Sequence, residues 1–129
     1  MDYERAVRTV NVGMAGFDVA LGTGALAFPD QTLKLLGHEP PSEDARVLFR
    51  RCGPIWLTFA AAHTVAAVRG KPEDWWALAW LRGTELLTDV VWATSPAVPK
   101  ARSRAGLRLA GLGNLGLAAG FAWLAARKR

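Results

Sequence analysis

The chain has 129 residues, 51% of them hydrophobic, and a formal net charge of +5, which bounds it to a single domain over residues 1–129. Its one cysteine, Cys52, excludes an internal disulfide and any CxxC redox or zinc motif. The positive charge does not read as a nucleic-acid surface, since basic and aromatic residues nowhere interleave along one face outside the apolar segments; it reads as flanking residues that meet lipid phosphates.

The first predicted helix covers residues 5–28 and stops at Pro29. Val10 to Phe28 is apolar apart from Asn11, Asp18 and a few weak interruptions. The start, MDYERAVR, mixes acids and bases, and the apolar run behind it has full span length, so a spanning helix is expected rather than a cleavable signal peptide. Helical spacing puts Asn11, Ala15, Asp18, Gly22 and Ala25 on one face, with Asp18 near the middle of the span. The connection DQTLKLLGHEPPSED is too short for a domain, and Leu33, Leu35 and Leu36 suggest a short turn lying on a bilayer surface.

The second helix, 43–69, begins at Pro41-Ser42-Glu43-Asp44, with proline and acids where a helix start favours them. From Cys52 to Val68 it runs 17 residues without Asp, Glu, Lys or Arg, and His63 shares a face with Cys52, Trp56 and Phe59. The third, 73–95, opens with Lys71-Pro72-Glu73-Asp74 and closes at Pro96 and Pro99. The link between these two is so short that they must be antiparallel neighbours. The fourth, 102–127, holds 18 uncharged residues from Leu109 to Ala126, with Asn114 among small residues that include Gly116 and Gly120.

A soluble amphipathic helix of such length needs a charged or strongly polar face, and the second and fourth have none. The expected fold is therefore all-α, a bundle of four transmembrane helices with antiparallel neighbours and both termini on the same side, the alternative being a soluble four-helix bundle with a Trp-rich core. Trp75 and Trp76 at one end of the third helix, Trp92 at its other end and Trp123 in the fourth suggest interfacial belts. Orientation is left open. Arg5, Arg8, Arg69, Lys71, Arg127, Lys128 and Arg129 make seven basic residues on one side, against eight on the other: Lys34, Arg46, Arg50, Arg51, Lys100, Arg102, Arg104 and Arg108.

The stretch WLRGTELLTDVVW breaks the apolar pattern. Each Arg or Asp near mid-span costs about 2.5–3.5 kcal/mol, while each Leu or Val returns about 0.3–0.6, so the third helix falls short of inserting alone by about 3–8 kcal/mol. Arg82, Glu85 and Asp89 fall on one face, as expected if they line the bundle interior and meet partners there: Asp18 and Asn11 from the first helix, His63 from the second, Asn114 from the fourth. Even with His63 protonated, three carboxyls face two cations, so at least one of Asp18, Glu85 and Asp89 is expected to hold a proton at neutral pH. Arg82 with Glu85 also suits a buried ion pair that fixes packing, His63 a hydrogen-bonded interior histidine, and Asn114 an interhelical hydrogen bond. No Glu-x-x-His motif and no second inward histidine occurs, so no metal and no cofactor are expected.

The segment ALGTGALAFPDQTLKLLG, followed by LFRRCGPIWLTFAAAHTVAA, resembles the small four-helix bacterial membrane proteins grouped around the DoxX-like families. Shared are a first helix ending at proline, a short leucine- and glycine-bearing loop, and an arginine-glycine opening of the second helix. The resemblance implies the fold and an integral location in a bacterial inner membrane, and it implies no activity, since Arg82, Glu85 and Asp89 match no catalytic motif of that group.

Two functions follow from the residues. In the first, an enzyme acts on a lipophilic small molecule that arrives from membrane lipids: Asp18, Glu85, Asp89 and Arg82 are catalytic, and Asn11, His63, Trp56 and Asn114 bind substrate. Paired carboxyls then drive epoxide hydrolysis, cyclisation or isomerisation, with Arg82 holding Glu85 or Asp89 ionised. In the second, the cluster serves a proton- or cation-coupled transporter or an accessory subunit, as a homo-oligomer joined through Gly16, Ala20 and Gly24 or through Gly116 and Gly120.

Overall fold

A computed structural model describes residues 2–127 as five helices: α1 (Tyr3–Ala27), α2 (Pro29–Leu35), α3 (Glu43–Arg69), α4 (Pro72–Ala93) and α5 (Ala101–Arg127). Lys128 and Arg129, counted above among the basic residues, lie outside the described residues. The four long helices fall within two residues of the bounds read from the sequence, because the caps were legible. The Asp2 carboxylate accepts from the Glu4 N–H at 3.1 Å and the Ser42 hydroxyl from the Ala45 N–H at 3.1 Å. Pro72 takes the first turn of α4, and Gly70 ends α3 in the left-handed region at φ +62°.

The segment after Pro29 is a helix of its own rather than a surface turn. It buries Leu33 beside Ala25 and Phe49 while Leu35 stays 86% exposed.

Two antiparallel pairs make the bundle, α1 with α3 and α4 with α5. Glycine sets the closeness of each. A Cβ on Gly53 would stand 2.9 Å from the Gly22 carbonyl oxygen, and one on Gly22 equally close to the Gly53 carbonyl, so α1 and α3 cross backbone to backbone. On the other pair, Gly111 lets α5 approach α4 beside Leu86 and Asp89.

The ends of the bundle are sealed differently. Where the termini meet, Tyr3 stands edge-on to Trp123 at 4.5 Å, Trp75 stacks on Phe121 at 5.8 Å, and the Arg8 guanidinium lies 5.4 Å from the Trp75 ring. At the opposite end the Glu39 N–H donates to the Ala97 carbonyl at 3.1 Å and Lys100 pairs with Glu39 at 2.9 Å. Trp75 is fully buried and so leaves the belt expected from the sequence; Trp76 and Trp80, 42% and 74% exposed, face outward nearby.

Of the small-residue faces proposed for self-association, Gly24 is covered by Thr32 and Gly120 by Tyr3 and Val7, whereas added Cβ atoms on Gly16 and Gly116 would meet open space.

A polar cluster is buried within the apolar core, and many large apolar side chains face outward. Asn11, Asp18 and His63 are 0% exposed and Arg82 1%, while Val68 is 81% exposed, Val91 70%, Leu109 68% and Leu87 65%. Two helices, α1 and α5, are long and apolar enough to cross a membrane. In α3 the uncharged run is diluted by Gly53, Pro54, Thr58, His63 and Thr64, and in α4 the apolar run is broken by Arg82, Glu85 and Asp89.

Candidate functional site

Where α1, α3 and α4 meet, four polar side chains form one chain of hydrogen bonds. Arg82 reaches from α4 to Asp18 of α1, its Nη2 donating to Oδ2 in a short contact. The same guanidinium meets His63 of α3, with Nε 3.1 Å and Nη2 2.7 Å from the imidazole Nε2. His63 Nδ1 in turn lies 2.6 Å from the Asn11 Oδ1, and the Asn11 amide donates to the His63 carbonyl at 3.0 Å.

A guanidinium has only donors, so Nε2 of His63 must be the bare acceptor. The ring proton then sits on Nδ1 and is donated to Asn11. His63 is therefore a neutral imidazole, and the protonated imidazole allowed for in the sequence analysis has no place here. Its Nε2 stands 3.6 Å from Asp18 Oδ2, beyond hydrogen-bond reach.

This network corrects the role expected of Arg82. Neither Glu85 nor Asp89 makes an ion pair with it; its carboxylate is Asp18, on another helix. An arginine that precedes its acid on a helix stands in the poorer of the two orders, and a fully buried guanidinium gains more from a cross-helix carboxylate that is equally buried.

Glu85 and Asp89 instead wall a half-open cavity of about 270 Å³ lined from α1, α3, α4 and α5. Asn114 of α5 donates to Asp89 Oδ2 at 2.9 Å, in the stretch where Gly111 brings the two backbones together. The Trp56 indole of α3 stands within reach of the half-buried Glu85 carboxyl. Phe49 braces the cavity's aromatic side, edge-on to Trp56 at 5.4 Å and to Trp92 at 6.2 Å. Arg82 also reaches the cavity; its Nη1 takes no part in the bonds to Asp18 and His63 and is the guanidinium edge left for a ligand.

Thus Arg82, Glu85, Asp89, Trp56 and Asn114 line one cavity, while Asp18, His63 and Asn11 stand behind Arg82 and do not. Trp92 was missed, although its i+3 spacing from Asp89 puts it on the same helix face and was available as a signal. Phe49, Gly53 and Gly111 were missed as well, and only the three-dimensional packing discloses them.

The cavity's apolar side is formed by α1 and α5, which meet where Tyr3 and Val7 stand against Trp123 and Gly120. A further hollow of about 310 Å³, lined from α1 and α5, shares Gly113 and Leu117 with the cavity as lining residues. The polar wall can donate from Arg82 and Asn114, accept at Asp89, and exchange a proton at either carboxyl. Among the described residues, no three His, Cys, Asp or Glu side chains converge as a metal ion would need. No family model, curated protein or solved structure matches the chain.

Proposed function

We propose that all four long helices cross a bilayer and that the central cavity is the active site of an enzyme acting on a small lipophilic molecule by acid–base chemistry. The buried polar cluster and the exposed apolar side chains together carry the membrane half of this reading. Asp18, His63, Asn11 and Arg82 are wholly buried, while leucines or valines on every long helix, with Trp76 and Trp80, face outward, an arrangement that suits acyl chains. Buried partners also supply part of what α4 lacks as an isolated span, since Arg82 meets Asp18 and Asp89 accepts from Asn114 inside the bundle. The bacterial inner membrane and the place beside the DoxX-like families belong to the same proposal, resting on helix order and the proline-closed first helix alone.

The enzymatic half rests on two carboxyls in one cavity in different surroundings. Asp89, accepting from Asn114, is suited to be the ionised base; Glu85, one turn away in the same cavity, is suited to be the protonated acid, because two neighbouring carboxylates resist ionising together. On an epoxide, Glu85 gives its proton to the oxygen as the C–O bond breaks. Water attacks the carbon while Asp89 takes the proton that the water loses, and the product is a vicinal diol. Transfer of that proton back to Glu85 resets the pair. Cyclisation and double-bond isomerisation use the same two groups without the water. Arg82 positions the substrate oxygen through Nη1; Asp18, His63 and Asn11 act through Arg82 as positioning residues. At about 270 Å³ the cavity sits at the small end of ligand sites, where a compact terpenoid-sized molecule fits and a phospholipid does not.

The test is incubation of the reconstituted protein with small lipophilic epoxides in ¹⁸O-labelled water. One labelled oxygen is expected per diol, with the rate falling on the order of 10²-fold or more in Glu85→Gln and in Asp89→Asn. Absence of labelled diol from every epoxide offered, or undiminished rates in both variants, overturns the proposal.

A further inference from the structure

We infer that the same cavity is a receptor for a lipophilic monocation, a tertiary amine in its ammonium form or a quaternary ammonium carrying an apolar body. The inference rests on the cavity's being a ligand site, as proposed above, and adds the charge of what it holds best.

The first observation is a charge count. Asp18 neutralises Arg82, and His63 is neutral because its Nε2 accepts from that guanidinium. Among the described residues, no lysine, arginine or histidine pairs with Glu85 or Asp89. Two carboxyls therefore face the cavity, and the one cation in its wall, Arg82, has its charge already balanced by Asp18. The groups around them are Arg82 on α4, Cys52 on α3, the Arg82 partners Asp18 and His63, and on α5 only the uncharged Asn114. Two protons can settle the deficit, and so can one proton and one bound cation.

The second observation is the aromatic wall. Trp56 and Trp92 line the cavity with the two acids, both fixed edge-on against Phe49. Indole faces attract cations, most strongly where water is excluded. An ammonium in this cavity meets carboxylate on one side and indole on the other, whereas an anion would meet two unpaired carboxyls. The same features favour the acid-catalysed step, whose transition state carries positive charge on carbon, so an ammonium ligand would imitate that state.

A matched pair of ligands isolates the charge: cyclohexylmethyl-trimethylammonium and its uncharged isostere, in which tert-butyl replaces trimethylammonium. Both are titrated into the full-length protein in zwitterionic detergent, followed by tryptophan fluorescence and by calorimetry in buffers of different ionisation enthalpy. The expected result is at least tenfold tighter binding of the ammonium, with no net proton release, since Asp89 is already ionised to receive it. In Asp89→Asn the preference for charge is lost while the isostere still binds, which shows that the cavity has survived. Equal binding of the two compounds, or a preference untouched in Asp89→Asn, overturns the inference and leaves the ligand site standing. Failure of both compounds to bind overturns the ligand site as well.

Discussion

Replacing Asp18 by asparagine removes the only carboxylate that the buried Arg82 possesses while keeping size and one hydrogen-bonding oxygen. Both side chains are at most 2% exposed, so the guanidinium is left in the interior with a neutral imidazole on Nε and Nη2. Breaking a buried pair from one side costs about 3–5 kcal/mol, or roughly two to three and a half decades in the folding equilibrium. Removing both charges is a different matter. In Asp18→Leu with Arg82→Met no charge remains unpaired, and stability is expected to return to within about 1–2 kcal/mol of the parent. Reversible unfolding in mixed micelles with increasing SDS, followed by far-UV circular dichroism, reads all of the variants. The single changes Asp18→Asn and Asp18→Leu should shift the midpoint strongly and the double change should recover most of it. Additive losses, or an Asp18→Asn variant as stable as the parent, would refute the assignment of Asp18 as the counter-ion of Arg82.

Two further outcomes follow from the packing. Gly53→Ala places a Cβ 2.9 Å from the Gly22 carbonyl and 2.6 Å from the Leu26 Cγ, so it should destabilise by about 1–3 kcal/mol in the same assay; Gly13→Ala, where a Cβ meets open space, should not. Nitrogen NMR of labelled histidine should show His63 as the Nδ1–H tautomer at pH 7, and a proton on Nε2 would contradict the order of the chain from Asn11 to Arg82.

Much of this architecture could be read in advance, for reasons that are local. Pro29, Pro72 and Ser42 mark helix ends through backbone geometry and orphan amides that depend on a few neighbouring residues. The i, i+3, i+7 spacing of Arg82, Glu85 and Asp89 likewise put the three on one face, and the face of α1 holding Asn11, Asp18, Gly22 and Ala25 is the buried one. The partner of Arg82 was not legible. One face of α4 carries two acids and α1 carries a third, and nothing in the spacing says how far each helix slides along its neighbour. The offset of α1 against α3 is fixed where Gly22 crosses Gly53, a contact that the spacing within either helix does not announce. Once it is set, Asp18 falls level with Arg82 and His63, and Glu85 and Asp89 are released from ion pairing.

The position of the cavity follows from the same two crossings. Glycine draws α1 onto α3 and α4 onto α5, and the two tight pairs are held together at the terminal end by Trp75, Phe121 and Tyr3 and at the other end by the loops around Glu39 and Ala97. Between these clamps α1 and α5 need not touch, and the space they leave is where Glu85 and Asp89 stand. A bundle of four equally packed helices would have closed over those carboxyls and forced each to find a partner. Pairing the helices two by two keeps the acids unpaired beside Trp56 and Trp92, and spends the one buried guanidinium on Asp18, behind the wall.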